Sequence, residues 1–343
     1  MSNIYRVLLV GLGKMGFKYL DDPAISKSIT YSTHFQVIEN HPSFLLHGAI
    51  DTSEKTLSLF KERFQCNNLS FSIKNIKEPN LVDVLVLATP PKKRYDFLNF
   101  FPNLKALIVE KPLGENLKES RMLMDICTSR NIITQVNLNR RTDQSMKALA
   151  NGELIQQIGS LQCGFGVYGN GILNYSTHTI DLVRMLIGEI TKVQALIIPN
   201  IEISGPITGD LNIPFILYVG NIPISIFPID FYKYREGSLD LWGSRGRLEI
   251  LQEGLKYHLT KVGACRSLFN SNELNSDKID IFETGFGESM YFLYDEVSEA
   301  IKNKNFGTSS PLDSCFHNEY IIDCIRTSYS KGGAIIKVLK FRL

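Results

Sequence analysis

The stretch Val7-Leu8-Leu9-Val10-Gly11-Leu12-Gly13-Lys14-Met15-Gly16 decides how this chain is read. An apolar, β-branched run breaks into G-x-G-x-x-G, and Phe17 to Leu20 continue with helix-like spacing. Each glycine has a task in such a turn. Gly11 lets a strand fold back tightly into a helix, Gly13 lets the main chain approach a pyrophosphate, and Gly16 lets the helix lie close on the sheet. Free N–H groups and the positive end of the helix dipole then favour an anion. A glycine-rich turn alone is common; one placed directly after the first strand predicts dinucleotide binding.

Working outward, the helix pattern falters at Asp21-Asp22-Pro23, and Ala24 to Ser32 is polar and turn-like, as an insertion inside the first β-α unit would be. Thr33 to Asn40 resumes as an amphipathic helix, and Phe44 to Ile50 is the next strand, closed by Asp51. An acid at the end of the second strand is expected on the adenosine ribose hydroxyls, about 20 residues after the motif. Asp51 lies 35 residues beyond Gly16 (51 − 16), and the insertion accounts for the excess. Its carboxylate would repel a 2′-phosphate, so NAD is expected as cofactor rather than NADP. Asp51 also suits a cap for the helix starting near Ser53, and the two roles are compatible.

Strand and helix patterns then alternate: helix Glu54 to Phe64, apolar strand Leu81 to Ala88, Thr89-Pro90-Pro91, strand Lys105 to Val109, helix Asn116 to Arg130, strand Ile132 to Val136. Nearly all-apolar strands are those buried on both faces of a parallel sheet. Residues 1–137 are therefore predicted as a Rossmann domain with a doubly wound parallel sheet. From Asn139 the rhythm changes. Strand patterns dominate Val193 to Leu259, with helices at 143–150, 176–187, 288–302 and 313–329, and Asn270 to Lys278 reads as a surface loop. Residues 138–343 are predicted as an α+β domain with an open, largely antiparallel sheet, serving substrate binding and oligomerisation. The fold class is α/β followed by α+β.

The bulk numbers narrow the function. A net charge of +2 over 343 residues, with 21% charged residues, gives no footprint for nucleic acid or an anionic membrane. Lys92-Lys93-Arg94 is the densest basic run and reads as a solvated helix start. The six cysteines are scattered without metal-ligand spacing, so no metal is expected and the thiols read as buried in a reducing compartment. The most apolar region, Ile213 to Tyr232, is broken by Pro214, Gly220, Pro223 and Pro228 and reads as strands rather than a membrane span. With no leader pattern at Met1, a cytoplasmic location is expected.

Three marks together carry a family resemblance: the glycine motif, Glu110-Lys111-Pro112 after the Lys105 to Val109 strand, and Gly171-Ile172-Leu173-Asn174-Tyr175-Ser176-Thr177-His178-Thr179-Ile180-Asp181 opening a helix. The set resembles the glucose-fructose oxidoreductase, inositol dehydrogenase and rhizopine-catabolism (Gfo/Idh/MocA) family along essentially the whole chain. The resemblance implies that Lys111 lies beside nicotinamide and substrate hydroxyl, and that His178 is a general base. Elementary chemistry agrees, since a lysine at the carboxyl end of a parallel strand faces the ligand crevice. A surface lysine before a turn, and a histidine packed locally at a helix start, are the plainer alternatives.

The family places an aspartate four residues before that histidine; here Asn174 stands there, able to hydrogen-bond a sugar but not to share a proton. Arg94 stands where a histidine often follows Ala88-Thr89-Pro90, and is expected to affect cofactor-side packing or phosphate contacts. Gly11, Gly13, Lys14, Met15, Gly16, Asp51, Thr89, Pro90, Glu110 and Lys111 form the expected cofactor site. Asn174, Tyr168, Arg140 and Arg141 join Lys111 and His178 as substrate-binding candidates. Tyr168 is either a pocket wall or a core residue, and the arginines either hold an anionic group or make a salt bridge. The implied activity is NAD(H)-dependent hydride transfer at a secondary hydroxyl or ketone of a sugar, sugar nucleotide or polyol, in a branch tied to surface-sugar biosynthesis. A non-catalytic NAD and sugar sensor, and internal-redox lyase or hydrolase chemistry, are the alternatives. An exposed sheet face in the second domain leads to an expected homodimer or homotetramer.

Overall fold

The computed structural model describes residues 4–199, 205–207, 209–266, 269 and 271–339. The chain divides into two compact units: residues 1–142 with 287–316, and residues 143–286 with 317–343. A linear reading assigns everything after residue 138 to one domain, but 287–316 returns to the first unit.

The first unit holds a six-stranded parallel sheet: β1 (Tyr5–Val10), β2 (Phe44–Ile50), β3 (Leu69–Ser70), β4 (Val84–Leu87), β5 (Ala106–Val109) and β6 (Ile133–Val136), ordered β3-β2-β1-β4-β5-β6. Every residue of β4 and β5 is fully buried, as their unbroken apolar runs require. The order reverses between β1 and β4, the switch point at which a doubly wound sheet opens its ligand crevice.

Helix α1 (His34–Asn40) begins with a capping box: Thr33 Oγ1 accepts from the Gln36 N–H at 3.2 Å, and the Gln36 side chain accepts from the Thr33 N–H at 3.1 Å. It does not start afresh. The His34 and Phe35 N–H groups donate to the Met15 and Gly16 carbonyls, at 2.9 and 3.1 Å, so His34 and Phe35 occupy the places residues 19 and 20 would take in an unbroken helix. Fifteen residues (34 − 19) are thus looped out of one helix. Without them Asp51 would fall 20 residues after Gly16, the ordinary spacing. The Phe17, Phe35, Phe60 and Phe64 rings close the seam and tie it to α2 (Glu54–Phe64). Helix α3 (Leu117–Ser129) is capped by Asn116, whose side chain accepts from the Glu119 N–H.

The second unit holds short helices α4 (Gln144–Ala148) and α5 (Leu154–Ile158), β7 (Leu161–Tyr168), α6 (Ser176–Leu186), β8 (Lys192–Ala195), β9 (Phe215–Val219), β10 (Ile222–Pro228), β11 (Ser238–Gly243), β12 (Gly246–Leu251), β13 (Lys256–Ala264) and β14 (Asn272–Glu283). After α7 (Ser289–Lys302), which belongs to the first unit, α8 (Leu312–Ser330) and β15 (Ile336–Lys337) end the described chain. The nine strands order β14-β13-β12-β11-β7-β10-β9-β8-β15, antiparallel throughout except β7 against β10. The core of this unit takes alternate residues such as Leu239, Leu241, Leu248 and Ile250 from the sheet, and Ile180 and Val183 from α6.

One expectation fails here: residues 272–278 are strand, not loop, and continue β14 to Glu283. Residues 272–278 hold a single apolar residue, Leu274, so this part of the edge strand carries none of the apolar alternation by which a half-buried strand is recognised. Within the apolar region 213–232 the strands β9 and β10 form as expected, and residues 229–232 lie beyond them. None of the six cysteines is in a disulfide, and Cys127, Cys315 and Cys324 are buried. Among the described residues no helix is long and apolar enough to cross a membrane.

Candidate active site

In the first unit the three glycines of the turn differ in what surrounds them, and Gly16 lies against the turn's own main chain rather than against the sheet. Gly11 sits at φ +95°, and a Cβ there would lie 2.6 Å from the Ala88 carbonyl oxygen. A Cβ on Gly16 would lie 1.9 Å from the Gly11 carbonyl oxygen, whereas one on Gly13 would meet nothing within 4 Å. Two glycines are demanded by the protein itself, and the third leaves room that a pyrophosphate can use. Asp51 closes the far side of the turn: its carboxylate accepts from the Leu12 N–H at 2.7 Å and the Ser53 N–H at 2.8 Å. The helix cap proper is Ser53, whose hydroxyl accepts from the Thr56 N–H. Lys14 is exposed with its ammonium over the Tyr19 ring, and Met15 is half-buried.

At the carboxyl end of β5, Glu110 and Lys111 are set by groups from distant parts of the sequence. The Glu110 carboxylate accepts from the Asn137 amide at 2.7 Å and pairs with His34 Nε2 at 3.1 Å. His34 Nδ1 lies 2.9 Å from the hydroxyl of Tyr294, on α7. Burial alone would raise the Glu110 pKa, but the hydrogen bond and charge of His34, the Asn137 amide and the Lys111 ammonium hold it below the ordinary value. Burial and the Glu110 charge push the Tyr294 hydroxyl far up, so it keeps its proton. An ionised Glu110 only accepts. His34 therefore donates to it from Nε2, and its Nδ1 shares a hydrogen bond with the Tyr294 hydroxyl, a group able to donate or accept.

A folded-state pKa below the unfolded one contributes stability that is present above the unfolded value and lost as pH falls through the folded one. Glu110→Gln is therefore expected to be clearly less stable than wild type at pH 7, with the gap narrowing as pH drops through the ordinary carboxylate value of 4.5 and below. Urea unfolding of both proteins across that range checks it. A gap independent of pH would contradict the ionised pairing.

Arg94 corrects the expectation of a solvated helix start. Its side chain is fully buried, and the guanidinium donates to the carbonyls of Thr89, Glu110 and Pro112. It thus ties the Ala88-Thr89-Pro90 turn to the main chain on both sides of Lys111. Local sequence gives no sign of this, because its partners are main-chain carbonyls that any residue supplies. Pro90 is exposed, Thr89 is half-buried, and Lys111–Pro112 is a cis peptide. Arg140 is buried in the turn after β6, and half-buried Arg141 donates to the Ser309 carbonyl at 3.3 Å.

Among the described residues, two buried polar atoms at this sheet edge have no hydrogen-bond partner: Thr89 Oγ1 after β4 and Asn137 Oδ1 after β6. With the room at Gly13 and the acid at Asp51, they give the first unit a set of groups that fits a dinucleotide.

In the second unit His178 is half-buried on the first turn of α6, its ring edge-on to Tyr175 at 5.5 Å. Half-buried Asn174 precedes that helix, and the turn before it is pinned by Asp210, which sequence reasoning missed. The buried Asp210 carboxylate accepts from the Leu173 N–H at 2.9 Å and the Asn174 N–H at 3.0 Å. Burial pushes its pKa up against those N–H groups. Tyr168 is not a pocket wall. It is fully buried in the core, its hydroxyl donates to the Ile213 carbonyl at 2.7 Å, and burial drives its pKa far up. Asp181 accepts from Asn318, which in turn accepts from Arg184.

Comparison with known proteins agrees with this architecture. Residues 5–138 match the model of an oxidoreductase family with an NAD-binding Rossmann fold. The chain is 24% identical over 260 residues to scyllo-inositol 2-dehydrogenase (NAD(+)) of Bacillus subtilis (strain 168), covering 69% of this chain and 73% of that one. Among solved structures, levoglucosan dehydrogenase in complex with NADH and levoglucosan superposes with a TM-score of 0.73 at 16% identity, over 98% of this chain and 100% of that one. A super-repressor mutant of Gal80p from Saccharomyces cerevisiae superposes with a TM-score of 0.75 at 16% identity, over 98% of both chains. At such identities the structural likenesses show the fold alone.

Proposed function

We propose that this chain, whose residues 5–138 are the NAD-binding Rossmann domain of the Gfo/Idh/MocA oxidoreductase family, is an NAD(H)-dependent dehydrogenase or reductase acting on a secondary hydroxyl or ketone of a sugar, sugar nucleotide or polyol. The observation that carries this reading is Lys111 at the carboxyl end of β5, its neighbouring carbonyls held by buried Arg94 and its neighbouring carboxylate held by His34 and Asn137. A similarity to an inositol dehydrogenase supports the substrate class.

NAD supplies the hydride acceptor when bound. Gly11, Gly13 and Gly16, with Lys14 and Met15, would hold the phosphates, and the Asp51 carboxylate would take the ribose hydroxyls and disfavour a 2′-phosphate. Thr89, Pro90 and Glu110 would border the nicotinamide half. Lys111 donates a hydrogen bond to the reacting oxygen and stabilises its developing negative charge. His178 takes the hydroxyl proton, or returns it in the reductive direction. Asn174 hydrogen-bonds a sugar hydroxyl without contributing charge. Arg140 and Arg141 would pair with an anionic group such as a phosphate. Self-association belongs to the same reading: Phe165 and Phe227 lie on one exposed face of the nine-stranded sheet, and a homodimer or homotetramer through it would cover them.

The experiment is nicotinamide absorbance with NAD or NADH and a panel of inositols, anhydrosugars, polyols and nucleotide sugars. A cofactor-dependent change with at least one compound is expected, and NADP should support it poorly.

A second reading has specific support. Asn174 in place of the family's aspartate favours a protein that binds NAD and a sugar without turning them over, on a fold that does not by itself fix function. It expects NADH binding with a flat trace across the panel.

A further inference from the structure

We propose that Asn137 is a cofactor-binding residue whose side-chain oxygen accepts a hydrogen bond from the carboxamide NH2 of the nicotinamide ring. The inference rests on the dinucleotide reading above and adds a residue to it.

Asn137 follows β6 and is 95% buried. Its amide is oriented by chemistry rather than by choice. Glu110, held ionised, offers only lone pairs, so the Asn137 NH2 group must face it, and does so at 2.7 Å. The amide oxygen is thereby turned away from Glu110, and among the described residues it has no partner. A buried acceptor left without a donor is costly, so its place calls for a donor from outside the protein.

The topology says which donor. Asp51 ends β2 and the glycine turn follows β1, which places the adenosine and pyrophosphate on that side of the switch point. The nicotinamide half is left to the ends of β4, β5 and β6, where Thr89, Lys111 and Asn137 stand side by side. A carboxamide has an NH2 donor to offer an amide oxygen. The second orphan, Thr89 Oγ1, lies on the neighbouring strand end but one and marks the same edge as built for a polar ligand.

The test is binding, not turnover. Wild type and Asn137→Leu are titrated by calorimetry with NADH, with the reduced 3-acetylpyridine analogue, in which a methyl ketone replaces the carboxamide, and with ADP-ribose, which lacks the ring. Wild type is expected to prefer NADH over the analogue about tenfold, the worth of one hydrogen bond to a buried group. Asn137→Leu should bind the two dinucleotides equally and ADP-ribose as wild type does. A variant that keeps the wild-type preference overturns the proposal. If the substitution damages the fold and ADP-ribose binding is lost, the wild-type comparison alone decides, and equal affinity for both dinucleotides overturns it. Failure of wild type to bind NADH or ADP-ribose would instead overturn the dinucleotide reading, and the proposal with it.

Discussion

Lys111→Ala is expected to lower turnover about a thousandfold while leaving NADH affinity nearly unchanged. The size follows from what the site invests in this one ammonium. Lys111 leaves a fully buried strand, Arg94 ties down the carbonyls before and after it, and the Glu110 carboxylate beside it stays ionised through His34 and Asn137. A preorganised donor at a developing oxyanion contributes chiefly to the transition state, so its loss falls on kcat rather than on binding. Steady-state kinetics on the compound found by the panel, with an NADH titration alongside, checks both halves. Unchanged turnover would remove Lys111 from the mechanism.

The second large effect separates glycines that look equivalent in sequence. Gly16→Ala places a methyl 1.9 Å from the Gly11 carbonyl oxygen, a main-chain atom that can retreat only by reopening the turn. The variant should lose roughly 3 kcal/mol of stability and its NADH binding together. Gly13→Ala meets nothing within 4 Å, so its thermal unfolding should match wild type closely. Its methyl enters the space assigned to the pyrophosphate, so NADH affinity should fall roughly tenfold to a hundredfold. Melting curves and NADH titrations of the pair check this. Wild-type affinity in Gly13→Ala would contradict the placement of the phosphates.

What could be read in the sequence was whatever local pattern encodes. The glycine spacing, the buried runs of β4 and β5, and the Asp51 strand end all express constraints between near neighbours, and each is where the pattern put it. The looped-out segment was legible only as a break in rhythm. That His34 resumes the helix at the place of residue 19, and so reaches Glu110, depends on hydrogen bonds to Met15 and Gly16 that no periodicity reports. Arg94 was misread for a related reason. Beside two lysines it looks solvated, and the carbonyls that make its burial tolerable belong to turns 5 to 18 residues away. Tyr294 lies in a segment that returns from beyond the second sheet, so its contact with His34 spans 260 residues. The first half of β14, residues 272–278, has no apolar alternation to betray it.

The measurement that tests the central claim most directly uses NADH deuterated at C4 of the nicotinamide ring, incubated with a panel of keto-inositols, keto-sugars and keto-nucleotide sugars. Products are then weighed by mass spectrometry. Hydride transfer by this protein expects one compound to gain a single deuterium at a new carbinol carbon, with NAD formed in equal amount and the signal lost in Lys111→Ala. Label that stays on NADH across the panel, with the cofactor demonstrably bound, would contradict the dehydrogenase reading and leave the sensor in its place.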